Sequence, residues 1–154
     1  MARSITPNLW FDGNAKEAVD YYVSVFDDGK IVSTTHYPSS KEEGLADFQI
    51  DLAGKVLTIE FELAGQRFTA INAGPEFTFN ESVSFAVTCK DQQEIDYLWH
   101  KLSAVPEAEQ CGWCKDKYGL SWQIVPEDMD ELMRKPTAFA QLMKMHKIVI
   151  ADFS

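Results

Sequence analysis

Apolar and polar positions follow the same plan twice along this chain. Asn14-Ala15-Lys16-Glu17 opens a stretch whose apolar residues Ala15, Ala18, Val19, Tyr22, Val25 and Phe26 recur at helical spacing. Asp91-Gln92-Gln93-Glu94 opens a second, with Ile95, Leu98, Trp99 and Leu102 in the same phase. The core positions Ala18/Ile95, Tyr22/Trp99 and Val25/Leu102 superpose at one offset of 77 positions, half the chain length. A short apolar strand precedes each helix, Ile5 to Phe11 and then Val83 to Cys89. Periods this long mean two modules rather than a solenoid.

Strands follow the helices. Lys30 to Tyr37 is rich in Val, Thr and Ile. Val56 to Leu63 sets Leu57, Ile59, Phe61 and Leu63 against Thr58, Glu60 and Glu62, and Gln66 to Ala73 returns after Ala64-Gly65. Pro38 to Gly44 is a polar loop, and Ala73 to Glu81 links the halves. In the second half Glu109 to Lys115 and Leu120 to Val125 are strands, with a loop at Val105 to Ala108 and a turn at Tyr118-Gly119. Helical pieces near Glu127 to Met133 and Thr137 to Met145 precede a strand-like Ile148-Val149-Ile150 that has no counterpart earlier. The pattern predicts an α+β chain: a strand, a helix and three strands over 1–77, a second strand-helix unit with further strands over 78–126, and a helical tail over 127–154.

Composition narrows the partners. The 154 residues are 45% apolar, enough to bury a core, and the net charge of -10 gives no basic stripe for nucleic acid or an anionic membrane. No apolar run approaches a membrane span, and the opening MARSITPNLWF lacks the apolar region of a secretory signal. Three cysteines, Cys89, Cys111 and Cys114, are too few for a disulfide framework. The expectation is a cytoplasmic protein.

The richest stretch is CGWCKDKYGLSWQIVP, Cys111 to Pro126, in which Leu120, Trp122 and Ile124 form an apolar face against Ser121, Gln123 and Val125. Together with LWFDGNAKEAVDYYVSVF, FNESVSFAVTCKDQQEIDYLWHKLS and the tail QLMKMHKIVIADF, it resembles the PhnB-like branch of the glyoxalase/bleomycin-resistance/dioxygenase (vicinal oxygen chelate) superfamily. Members of this branch often carry the label 3-demethylubiquinone-9 3-methyltransferase. The resemblance runs from about Ile5 to Phe153. It implies paired βαβββ modules, curved mixed sheets around a cleft, and usually a homodimer. The residues give the methyltransferase label no support: Phe11-Asp12-Gly13-Asn14 is a single glycine before a helix, not the glycine-rich turn of a doubly wound cofactor fold.

In the metal-dependent relatives, ligands come from the first and last strands of the modules. The matching positions fall at or next to Pro7, near Ser82 and at Gln123, with the amide Asn72 on the fourth strand. Neutral amide and hydroxyl oxygens hold divalent ions weakly without carboxylate or imidazole partners. The resemblance therefore implies no metal and no cofactor here, and a cleft in which Asn72, Ser82, Ser84, Trp113 and Gln123 bind a small organic ligand. The alternative is an enzyme of the lyase, isomerase or dioxygenase type found in the superfamily, its catalytic residues unknown.

Other candidates have plainer readings. Cys111-Gly112-Trp113-Cys114 has the CxxC form, but a redox pair wants its first cysteine at a helix N-terminus and these thiols lie on or beside a strand. Glu60 and Glu62 share one strand face, as an acid/base pair or as an ordinary solvated face. Trp99 and Trp122 read as core, Trp10 and Trp113 as cleft-lining. His100 and His146 read as surface residues, while His36 divides evenly between surface and site. The tail, with Phe139, Leu142 and Met143 on one helix face and the extra Ile148 to Ile150, calls for a cover, and a second subunit is the simplest one.

Overall fold

A computed structural model describes residues 2–153, and the chain divides into two compact units, Met1–Thr78 and Phe79–Ser154. The first unit runs β1 (Asn8–Asp12), α1 (Ala15–Val25), β2 (Lys30–His36), β3 (Val56–Leu63) and β4 (Gln66–Ala73), with short 3-10 turns at Lys41–Glu43 and Asp47–Leu52. Its sheet order is β1-β4-β3-β2, with β1 parallel to β4 and the other pairs antiparallel. This is the expected βαβββ module. Alternation along β3 and β4 turns Ile59, Phe61, Phe68 and Ala70 toward the buried face of α1, where Tyr22 stacks on Phe61 and Phe61 on Phe68. Each of the Ile and Phe side chains taken from water contributes about 1.5–3 kcal/mol. Ala64 and Gly65, both at positive φ, close the β3–β4 hairpin in the twist that adjacent strands require.

The second unit contains β5 (Ser84–Cys89), α2 (Gln92–Leu102), β6 (Trp113–Lys115) and β7 (Ser121–Pro126), in the sheet order β5-β7-β6. The parallel β5–β7 pair repeats β1–β4, and the antiparallel β6–β7 pair repeats β3–β4. The strand expected to repeat β2 shrinks to one bridge, Gln110 to Trp113, because Pro106–Ala108 coils into a 3-10 turn just before it. Ile95, Leu98 and Leu102 of α2 pack with Trp122, Ile124, Cys89 and Cys114 in the apolar interior of this unit. Both sheets are mixed and neither closes into a barrel.

The two helix starts differ despite their similar sequences. Asp91 Oδ1 accepts the Glu94 N–H at 2.9 Å, as its position predicts. Asn14 makes no side-chain cap. The buried N–H of Ala15 is met instead by Asn72 Oδ1 of β4 at 3.1 Å.

The tail departs from expectation. Ile148 to Ile150 is not a strand: Ile150–Phe153 forms a 3-10 turn, and Ile148 and Phe153 are fully buried in a cluster with Leu132, Ala138 and Met145. The flanking helices are short, α3 (Met129–Leu132) and α4 (Ala138–Leu142). Gln92 clamps the segment, its Nε2 donating to Ile148 O at 2.9 Å and its Oε1 accepting from Ile150 N at 2.8 Å. Ile148 is thus covered by its own unit, and among the described residues of the tail Phe139 and Met143 remain as large exposed apolar side chains.

Candidate ligand-binding face

Alternation divides the second sheet into two faces. Phe85, Val87, Cys89, Trp122, Ile124 and Cys114 lie on the helix side. The register then puts Ser84, Ala86, Thr88, Ser121, Gln123, Val125, Trp113 and Lys115 on the other. On this open face Gln123 Nε2 donates to Ser84 Oγ at 2.9 Å, and Trp113 stands directly opposite Gln123 across β6–β7. No further hydrogen bond engages the Gln123 amide oxygen or the Ser84 hydroxyl proton among the described residues. Ser82, also expected here, precedes β5 and is exposed, its N–H accepted by Asn80 Oδ1 at 2.8 Å in a turn that leads into the strand.

Two residues of this face were not among the expected ligand-binding residues. Lys115 lies opposite Ser121 and pairs with Glu81, whose carboxyl it holds below the ordinary glutamate value chiefly through their hydrogen bond. Ser121 is buried, and its Oγ has no hydrogen-bond partner. Such a hydroxyl costs about 1–3 kcal/mol unless water or a ligand satisfies it. The strand alternation already put Ser121 beside Gln123; its burial needed the packed sheet.

Asn72 has a different role. The β1–β4 register pairs it with Phe11, on the helix side of the first sheet, where it is 6% exposed. Its Oδ1 holds the Ala15 N–H, its Nδ2 donates to Val56 O at 2.9 Å, and its carbonyl accepts the Tyr37 hydroxyl at 2.7 Å. Both polar ends of the side chain are committed to backbone. Burial and the nearby Glu76 charge raise the Tyr37 phenol, which suits it as a donor.

Glu60 and Glu62 are not a free acid/base pair. Arg67 lies opposite Glu62 in the β3–β4 hairpin and bridges both carboxylates, with Nη1 to Glu60 and Nη2 to Glu62 each at 3.1 Å. Arg67 and Lys30 hold the Glu62 carboxyl below its ordinary range by hydrogen bonding, so it stays ionised. The Ala64-Gly65 turn fixes this pairing, so the sequence carried the signal. Of the tryptophans, Trp122 is buried, while Trp99 is only half-covered. Trp10 donates to Gly74 O at 2.9 Å and meets Phe77 edge-on. All three histidines are exposed.

The CxxC stretch is a hairpin. Cys111 and Gly112 form its two-residue turn at φ 55° and 88°, bracketed by the Gln110–Trp113 bridge. The tail secures this turn: Cys111 N–H donates to Met145 O and Gly112 N–H to His146 O, both at 2.8 Å. Cys114 lies on the helix side, where burial pushes its thiol up to about 12, and Cys89 is raised likewise. Cys111, the first thiol of the pair, sits in this hairpin turn and not at a helix N-terminus, where a redox CxxC places its nucleophile.

A divalent metal does not fit the open face. Its strand positions supply hydroxyl, amide, indole and ammonium groups, without carboxylate or imidazole, and the Lys115 ammonium repels a cation. Among the described residues, no three His, Cys, Asp or Glu side chains gather as a metal-holding group. S-adenosylmethionine in the doubly wound manner does not fit either. Each sheet has one parallel pair, and Gly13 is the lone glycine between β1 and α1. No helix among the described residues is long and apolar enough to cross a membrane.

Comparison with known proteins agrees with this architecture. No curated protein matches the chain. The profile of the family described as 3-demethylubiquinone-9 3-methyltransferase matches residues 3–125. The solved PhnB protein of Bacillus cereus, which bears the same family description, shares 36% identity over 80% of this chain and 99% of its own, with a TM-score of 0.61. A Pseudomonas aeruginosa protein (18% identity, 81% and 98% coverage, TM-score 0.56) and an Arabidopsis thaliana gene product (20%, 80% and 98%, 0.52) share the fold. On the profile match and the Bacillus cereus relative, with the βαβββ order behind them, the chain belongs to the PhnB-like 3-demethylubiquinone-9 3-methyltransferase family, of the glyoxalase/bleomycin-resistance fold.

Proposed function

We propose that this protein binds a small organic molecule on the open face of its second sheet, without a metal and without methyl transfer. The observation that carries this reading is the Ser84–Gln123 hydrogen bond opposite Trp113, a polar pair and a flat aromatic on a sheet face that the helix leaves uncovered. Hydroxyl and amide groups fix orientation, and an indole supplies contact area; small-molecule sites combine these two elements. The family name describes a reaction for which the residues of this face offer neither a methyl-donor site nor a base. We also propose a homodimer, in which the exposed Phe139 and Met143 of the tail take part.

Binding and turnover separate in one experiment. A metabolite panel is screened by the chemical shifts of the Trp113 indole and the Gln123 amide in metal-free buffer, and each hit is then followed for product. Hits that perturb both signals and return unchanged support a binding protein. Product formation that requires added divalent metal would instead favour the lyase, isomerase or dioxygenase alternative.

A further inference from the structure

We propose that the ligand of this face carries a carboxylate, held between Lys115 Nζ and Ser121 Oγ; this rests on the reading of the open face as the binding surface. Three observations converge. Lys115 and Ser121 are direct cross-strand neighbours. The Lys115 side chain is only 24% exposed, whereas its partner Glu81 is 61% exposed and lies outside the strands. Ser121 Oγ is buried without any acceptor for its proton.

Glu81 therefore occupies a place that a ligand carboxylate can take. The exchange leaves Lys115 paired and returns Glu81 to water at little cost, since it is already largely hydrated. The incoming anion gains a second donor, the Ser121 hydroxyl, that Glu81 does not use. Hydrogen bonds to a carboxylate are stronger than those between neutral groups. A neutral ligand would have to fit beside an intact ion pair and would gain no such bond.

The same register sets the shape of the ligand. Trp113 and Gln123 lie two residues along the strands from Lys115 and Ser121, about 7 Å away at strand rise. A flat ring on the indole, its edge toward the Gln123 amide, thus lies one short linker or one fused ring from the carboxylate. The class is an aryl carboxylic acid.

The test uses 2-naphthoate and its neutral counterpart 2-naphthamide, titrated into the full-length protein and followed through the Trp113 and Gln123 side-chain signals. Naphthoate is expected to bind the wild type more tightly than the amide does. Its affinity should fall tenfold or more in Lys115→Met and rise in Glu81→Gln, which removes the competing carboxylate, while amide affinity stays constant in all three proteins. Glu81→Gln keeps the proposal open to refutation even if Lys115→Met folds poorly. Equal affinity for acid and amide, or acid affinity unmoved by Glu81→Gln, overturns the carboxylate assignment and leaves the binding face standing. If neither compound shifts Trp113 or Gln123, both the assignment and the binding face are refuted.

Discussion

The indole N–H of Trp122 donates to Oδ2 of Asp116 at 2.9 Å inside the second unit, and both residues are 2% exposed. The other carboxylate oxygen accepts the N–H groups of Tyr118 at 2.8 Å and Leu120 at 3.0 Å. One side chain therefore ties the turn before β7 to the strand's own core tryptophan, and so sets where Ser121 and Gln123 begin on the opposite face.

Asp116→Asn turns an amide NH₂ or a weaker acceptor toward the indole and should cost about 2 kcal/mol; Asp116→Ala, which strands three donors, should cost more. Urea unfolding measures both. An Asn variant as stable as the wild type would show that the buried carboxylate does not organise the turn.

Asn72→Ala removes the partner of the Ala15 N–H and of Val56 O, and the expected loss is about 2–3 kcal/mol. Naphthoate affinity, measured well below the unfolding transition, should not change. A weakened ligand with undiminished stability would instead return Asn72 to the binding residues.

The thiols should divide one against two. At pH 8 a chromogenic disulfide reagent should modify the half-exposed Cys111 quickly and reach Cys89 and Cys114 only on unfolding. The two buried thiols stay protonated in the native state, while those of the unfolded chain ionise near 8.5. Their contribution to stability is therefore full below that value and is lost as pH rises toward about 12. The denaturation midpoint should drop between pH 8 and pH 10.5, and less steeply in Cys89→Ala and Cys114→Ala. Identical slopes in all three proteins would count against this assignment.

In the tail, Ile148→Ala should cost about 2–5 kcal/mol, the range for emptying a buried aliphatic site. Gly112→Ala should also destabilise, because its Cβ would meet Ile148 Cδ1 at 2.7 Å and its φ is +88°. Phe139→Asp with Met143→Asp should leave stability alone and, if these side chains form the homodimer contact, yield monomers in sedimentation equilibrium. A dimer that survives the double change places its interface elsewhere.

What the sequence determined by itself is local and periodic. The 3.6-residue recurrence in the two helices, the alternation in β3 and β7 and the shared 77-position offset specify strand, helix and strands in each half, because burying one face of each element needs only a repeating pattern. The hydroxyl and amide character of the face carrying Ser84 and Gln123 followed from the same alternation. What only the tertiary structure decided depends on contacts between distant residues. Asn72 caps a helix 57 positions away, and Lys115 reaches across 34 positions to Glu81. Ile148 docks on a hairpin turn whose glycine makes room for it. No local pattern encodes these partners: a polar side chain's role is set by which unsatisfied group packing brings to it, and an apolar segment's by whether its own unit leaves a place to bury it.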